Sequence, residues 1–403
     1  MCAITKPHCT KKECVMSLEK PFDLYCPTKI KFGAGITAEA GVEVKALNCS
    51  KVLVVADPGV AKAGLLEGVL ESLKKENLPY VVFDQVEVNA TLSSVMKASE
   101  LQKSEQCDIM LLVGGGSTMD TGKGVGCLAT NEGPLPAYEG PEKYCNPPLP
   151  SIAVPTTAGT GSELSFGAVL YDEERNYKFS FRSCMQIPKV ALLDPHLLQS
   201  LPSNVAAASG MDALSHCAEA FVSKWSTHIT DAYCRQNFYL VGKYLRRFVA
   251  DPSNTEAAGA MLQASAMGSM SFNTARLGLV HAMASPLGAH FHLPHGTACA
   301  VLMPAVMRFN LLACPEKYRE MALLLEGAAP GSRMMEQAES AVFAIERLLD
   351  DLSMNFTVDR SAVNEEKLAQ MADETLSSGM QLTNPRNVTK TDVINVYRDY
   401  FRI

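Results

Sequence analysis

The sequence predicts an α/β N-terminal half built on a mostly parallel sheet, followed by an all-helical C-terminal half. Three observations carry this expectation. Between residues 51 and 193, short apolar, β-branched runs alternate with stretches of helical spacing, as in successive βαβ units. A glycine-rich turn, GGGSTMDTGKG at 114–124, links one of those runs to a helix. Beyond Leu198 strand-like runs almost vanish, and Ala, Leu, Met and charged residues at helical spacing continue to Ile403. The chain divides accordingly into a polar extension over 1–20, an α/β domain over 21–195 and a helical domain over 196–403.

Taken in order, the fold begins near Phe22. Lys51–Ala56 (KVLVVA) reads as a buried parallel strand, closed by the turn Asp57-Pro58-Gly59. Residues 61–75 have the pattern of one amphipathic helix. Tyr80–Phe83 is a second short strand and 92–104 a second helix. A third strand, 108–113 (DIMLLV), leads through Gly114–Ser117 into a helix from about Met119. The Pro-, Gly- and charge-rich stretch 131–150 is a loop. Ser151–Pro155 is a further strand, followed by TTAGTGSE at 156–163. Val190–Leu193 is the last strand, ended by Asp194-Pro195. Ligands on such sheets bind beyond the carboxyl ends of the strands, which is where both the glycine turn and the TTAGTGSE loop fall.

The 403-residue length accommodates two domains, and a net charge of −7 argues against a nucleic-acid surface. No apolar run reaches the roughly 18 residues of a bilayer span. Residues 1–20 lack the apolar core of a secretory signal. The thirteen cysteines contain no C-x-x-C pair, which favours free thiols in a reducing compartment. The expected setting is the cytoplasm, without a membrane or nucleic-acid partner. Cys2, Cys9 and Cys14, with His8, cluster in the extension but read as part of a mobile tail.

Three consecutive glycines before a helix allow close backbone approach and leave helix N-terminal N–H groups facing an anion. Pyrophosphate is the natural guest, although the spacing is neither G-x-G-x-x-G nor G-x-x-x-x-G-K-[ST]. The TTAGTGSE loop suits a phosphate, ribose or amide, or a solvated turn. Asp57, at the end of the first strong strand, can accept ribose hydroxyls and repel a 2′-phosphate, or simply cap the turn at Pro58.

Four of the eight histidines lie in LGLVHAMASPLGAHFHLPHGTACAVLMP, 277–304. Asp212 and His216, in GMDALSHCAE, stand four residues apart and share one helical face. His281 sits in an apolar setting where an imidazole needs a partner or a task. His295 lies in a Pro-His-Gly turn. Asp212, His216, His281 and His295 therefore form a candidate set around one divalent ion. Nitrogen and oxygen donors suit Fe2+, Zn2+ or Mn2+ rather than a thiolate cage.

Several long motifs in fixed order now bring out a resemblance: GGGSTMD (114–120), VPTTAGTGSE (154–163), Asp194-Pro195, SGMDALSHCAEAF (209–221), GLVHAMASPLGAHFHLPHG (278–296) and Thr383–Arg386. Over about 22–400 the chain resembles the iron-containing, group III alcohol dehydrogenases, which share the dehydroquinate synthase-like fold with its Rossmann-like N-terminal domain. The resemblance implies a metal-dependent, NAD(H)-linked enzyme interconverting a small aldehyde and its primary alcohol, assembled as a homodimer or larger homo-oligomer. It implies Asp212, His216, His281 and His295 as metal ligands, with Fe2+ first among the ions. It implies Gly115, Gly116 and Ser117 at the pyrophosphate, and Asn89, Thr156, Thr157, Thr160, Lys178 and Leu197 as further cofactor contacts. Asp57 matches the position linked to choosing NAD over NADP. One departure concerns the proton path: many members place a second histidine four residues after the third ligand, and here that residue is Ser285. His292 or His290, water or the cofactor ribose are the remaining candidates. Arg182, with Lys178, is a candidate contact for an anionic aldehyde such as a sulfonate or phosphonate. A sugar-phosphate cyclase, a lyase on the same fold, is the rival enzyme class.

Overall fold

The computed structural model describes residues 21–354 and 363–403. The extension 1–20, with Cys2, Cys9, Cys14 and His8, lies outside the described residues. In chain order come β1 (Lys29–Phe32), α1 (Ala40–Ala46), β2 (Val52–Val55), α2 (Pro58–Lys62), α3 (Glu67–Lys75), β3 (Tyr80–Phe83), α4 (Leu92–Glu105), β4 (Ile109–Gly114) and α5 (Gly116–Thr130). They are followed by β5 (Gly140–Pro141), β6 (Ser151–Pro155), β7 (Gly167–Asp172), β8 (Tyr177–Arg182) and β9 (Val190–Leu193). Nine helices complete the described chain: α6 (Ser203–Val222), α7 (His228–Ala250), α8 (Thr255–Ala275), α9 (Leu279–Phe291), α10 (His295–Asn310), α11 (Pro315–Glu326), α12 (Met334–Asp351), α13 (Glu365–Ser377) and α14 (Lys390–Phe401).

Six strands form one parallel sheet in the order β1-β9-β6-β4-β2-β3. The chain runs outward from β2 to β3 on one side and from β4 to β6 and β9 on the other. The crevice between β2 and β4 is therefore the topological switch point, where such sheets bind ligands. Alternate residues of the central strands feed two cores. Val52, Val54, Ile109, Leu111, Val113, Ile152 and Val154 face a core continuous with α6, α8, α9 and α10. Leu53, Val55, Met110, Leu112 and Ala153 face a second core closed by Phe179 and Phe181. Burial on both faces explains why these strands are apolar at every position.

The observed elements depart from the expected ones in five places. The helix expected over 61–75 is two helices, because Gly64 adopts φ 74° and breaks the run. The helix expected from Met119 already starts at Gly116. β1 was not foreseen, and neither was the three-stranded sheet β5-β8-β7, in which β7 and β8 pair antiparallel. Finally, His295–Ala313 has the length and mean hydropathy, 1.4, of a membrane span, but 72% of it is buried inside the protein. Its composition follows from its place as a core helix.

Candidate metal and cofactor site

α6 is buried along most of its length and presents Asp212, His216 and Glu219 on one stripe. α9 brings His281 against it, and α10 begins with His295. Asp212 Oδ1 stands 3.8 Å from His281 Nε2, 3.8 Å from His295 Nε2 and 4.0 Å from His216 Nε2. The His216 and His281 rings stack at 4.7 Å, and His281 and His295 lie 5.5 Å apart. Those nitrogen–oxygen separations are too long for hydrogen bonds. They are only slightly wider than the roughly 3–3.5 Å between neighbouring ligands of an ion bound at about 2.0–2.2 Å. Asp212 Oδ1 and His281 Nε2 are buried without a hydrogen-bond partner, a costly arrangement unless something stands between them. The donor set therefore fits a divalent cation. Its open side is at His295, whose side chain is 49% exposed while those of Asp212, His216 and His281 are at most 6% exposed.

Two residues of the site were not anticipated. Glu219, seven residues after Asp212, accepts from the Gly278 and Val280 N–H groups and meets His281 Nδ1 at 2.6 Å. It thereby fixes both the start of α9 and the tautomer that turns Nε2 toward Asp212. The D-x-x-x-H-x-x-E spacing was the available signal. Cys299 places Sγ 3.7 Å from His295 Nε2, and the donor atoms of Asp212, His281, His295 and Cys299 all lie within 4.8 Å of one another. His295 is the first residue of α10 rather than part of a turn, so His295 and Cys299 share a helical face. Burial opposes ionisation of Cys299, yet His281 and His295 draw its pKa below the usual thiol value. Burial also lowers His216, to about 4, leaving a neutral imidazole.

In the N-terminal half, β4 ends at Gly114 and α5 begins at Gly116, with Gly115 as an N-cap that offers no side-chain acceptor. The N–H groups of the first turn face outward for an anion. A Cβ on Gly116 would come within 2.9 Å of Thr160 Cγ2, and one on Gly115 within 3.3 Å of Thr157 Oγ1. Glycine at 116 lets the two loops approach this closely, and a side chain at 115 would press on Thr157. The Thr156 N–H donates to Gly114 O, joining the loops at their base. Lys123, buried on α5, bolts them together higher up. Its Nζ stands 2.7–3.0 Å from Ser162 O, Ser162 Oγ, Ser165 Oγ and Gly167 O, four acceptors that share its three N–H donors. Asn89, in a left-handed conformation at φ 71°, donates N–H to Ser117 Oγ and accepts from Lys178 Nζ at 2.9 Å. Asp57 caps α2, with Oδ1 accepting from Gly59 and Val60, and lies at the end of β2 beside the switch point. Leu197 is buried in the turn after β9.

Ser285 lies one turn after His281 and is exposed, its Oγ 3.4 Å from His281 O. His290 is taken up by Glu374 at 3.0 Å and Lys367 at 3.2 Å, and faces α13. His292 is the exposed, left-handed C-cap of α9.

With this geometry in view, the comparisons with known proteins decide the family. The model of iron-containing alcohol dehydrogenases matches residues 27–195, and that of the family's C-terminal domain matches 206–401. The chain belongs to the iron-containing alcohol dehydrogenase family. It is 39% identical over 382 residues to a 1,3-propanediol dehydrogenase of Citrobacter freundii, covering 94% of this chain and 99% of that one. The crystal structure of a 1,3-propanediol oxidoreductase superimposes with a TM-score of 0.92 at 38% identity, covering 95% of this chain and all of that one. A sulfoacetaldehyde reductase from Bifidobacterium kashiwanohense, solved in complex with NAD+, gives a TM-score of 0.85 at 26% identity, over 95% of this chain and 99% of that one.

Proposed function

We propose that this family member is an NAD(H)-linked, metal-dependent alcohol dehydrogenase working on small aldehydes and primary alcohols. The observation that carries the reading is the convergence of Asp212, His216, His281 and His295, from three helices, opposite the glycine turn of α5. In the reductive direction an aldehyde, NADH and a proton become a primary alcohol and NAD+. A divalent ion held by those four side chains would act as a Lewis acid on the substrate oxygen; family membership favours Fe2+ over Zn2+ or Mn2+.

The chain's own groups divide the remaining work. Gly115, Gly116 and Ser117 would receive the pyrophosphate at the N-terminus of α5, and Thr156, Thr157 and Thr160 the nicotinamide side of the cofactor. Asn89 and Lys178 form a linked rim over the same turn, and Leu197 closes the apolar floor. Asp57 spends one carboxylate oxygen on its cap, leaving the other for ribose hydroxyls and against a 2′-phosphate. Glu219 orients His281. Ser285 is the hydroxyl one turn after His281, and His292, exposed at the end of α9, is the imidazole offered for the proton path. Ile30 and Phe32 leave 39% and 47% of their surface exposed on β1, an outer strand of the large sheet among the described residues. That edge supports assembly as a homodimer.

The test is a panel of aldehydes with NADH or NADPH, on protein prepared without oxygen and reconstituted separately with Fe2+ and Zn2+. Stoichiometric oxidation of NADH, abolished in His281→Ala together with bound metal, is the expected result. Product formation without net NADH consumption would instead mark a lyase and overturn the proposal.

A further inference from the structure

Arg276 is held in a conformation that arginine rarely tolerates. As the C-cap of α8 it has φ 66° and ψ 169°, a region populated almost only by glycine. Such strain persists where the side chain gains something from its position. α8 carries Phe272 against His216, with ring centroids 4.8 Å apart, and Asn273 Nδ2 ties the helix to Leu164 O of the N-terminal half at 2.9 Å. Arg276 follows one turn beyond Phe272, about 6 Å along the axis, at the seam between the two halves. Its guanidinium lies over the Phe166 ring at 4.9 Å.

A second arginine comes to the same place from the N-terminal half. Arg182, at the end of β8, pairs in register with Gly167, the residue after Phe166. A Cβ on Gly167 would lie 3.8 Å from Arg182 Cγ. Arg182 Nε is buried without a hydrogen-bond partner. Burial pulls the pKa of both guanidinium groups down, and at Arg276 the charge of Arg182 pulls in the same direction. Among the described residues neither has a carboxylate partner. Glu142, beside the end of β8, is spent on Ser183 Oγ and the Cys184 N–H. By contrast Arg235, Arg246, Arg308 and Arg398 each hold a carboxylate. Lys178 is already engaged by Asn89.

Two mutually repelling forks with no ion-paired carboxylate among the described residues, Arg182 partly buried and Arg276 exposed on strained backbone, are an unfinished anion site. Guanidinium groups match planar and tetrahedral oxyanions through paired N–H donors. We propose that Arg276 and Arg182 recognise the charged end of the substrate, a two- or three-carbon aldehyde bearing a sulfonate, phosphonate or carboxylate, while its carbonyl faces Asp212, His281 and His295. This subsite rests on the aldehyde reductase reading above and narrows its substrate class.

The experiment compares kcat/KM for 2-oxoethanesulfonate, phosphonoacetaldehyde, 3-oxopropanoate and neutral propanal on metal-reconstituted enzyme with NADH. The expected result is a preference of at least about 100-fold for one of the anionic aldehydes over propanal, and its identity names the charged group. In Arg276→Gly and Arg182→Met that ratio is expected to fall about 30-fold or more, chiefly through KM. Arg276→Gly should at the same time raise Tm, because glycine relaxes the backbone, whereas Arg276→Lys should lower the ratio without that gain. A wild-type ratio near one, a ratio in Arg276→Gly within threefold of wild type, or a lower Tm in Arg276→Gly would overturn the subsite. Turnover of propanal without anionic preference removes the subsite alone; no turnover of any aldehyde removes the reductase reading and the subsite with it.

Discussion

Replacing Glu219 by Gln changes one atom and separates orientation of His281 from mere packing. The carboxylate accepts three N–H groups: Val280 N–H at one oxygen, and Gly278 N–H at 2.9 Å and His281 Nδ1 at 2.6 Å at the other. A glutamine offers one acceptor oxygen and one NH2. If its oxygen faces Gly278 and His281, the Val280 N–H meets a donor. If it faces Val280, both of the other N–H groups do. Either way a buried N–H at the start of α9 is left unpaired, at about 1–3 kcal/mol, and the charge-assisted bond that fixes His281 is lost. Removing such an outer partner weakens metal binding about 10–100-fold, or about 1.4–2.7 kcal/mol. Chelator competition with Fe2+ or Co2+ on wild type and Glu219→Gln measures the change directly. An affinity within twofold of wild type would refute the orienting role and reduce Glu219 to a helix-start residue.

Four further outcomes are expected. Metal at 100 times its Kd should stabilise the wild-type protein by about 2.7 kcal/mol in chemical unfolding, and His281→Ala should show no such gain. Cys299→Ala should keep metal affinity within tenfold of wild type, because the proposed ligand set of one carboxylate and three imidazoles does not need the thiolate; complete loss of metal would make the thiolate a required ligand in place of His216. Asp57→Ser should keep the α2 cap, since serine caps helices as well as aspartate, while raising kcat/KM with NADPH at least tenfold; unchanged coenzyme preference would leave Asp57 as a cap alone. Burial raises Glu163 from 4.5 to about 7, so the folded protein holds a proton that the unfolded chain releases. Stability from this group is full below about 4.5 and is lost as pH rises toward 7, by up to about 3 kcal/mol. Glu163→Gln should flatten that slope in unfolding midpoints measured at pH 5 and 7.5, and an unchanged slope would assign it to other groups.

The central strands were legible because burial on both faces makes each an unbroken apolar run. β1 was not, since KIKF alternates lysines with apolar residues at the sheet edge, where half of its surface meets solvent. β7 and β8 carry a real period of two, but it is short and folded around the charged turn DEERN. The break at Gly64 was hidden inside a continuous amphipathic pattern. In the site, Asp212 and His216 announced themselves by their spacing, and the structure brings them to His281 and His295. Glu219 was missed because it was read as part of a motif rather than as the next position on the same helical stripe. Cys299 was missed because Pro294-His295-Gly296 looked like a turn; once His295 opens a helix, its neighbour four residues on must share its face.

The fourfold hold of Lys123 on Ser162, Ser165 and Gly167 has a kinetic corollary. With the glycine turn and the threonine loop locked into one rigid block, neither can swing aside to let a nucleotide out. Release of a nucleotide from the proposed site would then leave both loops in place, and Lys123→Met is the change that would let them part.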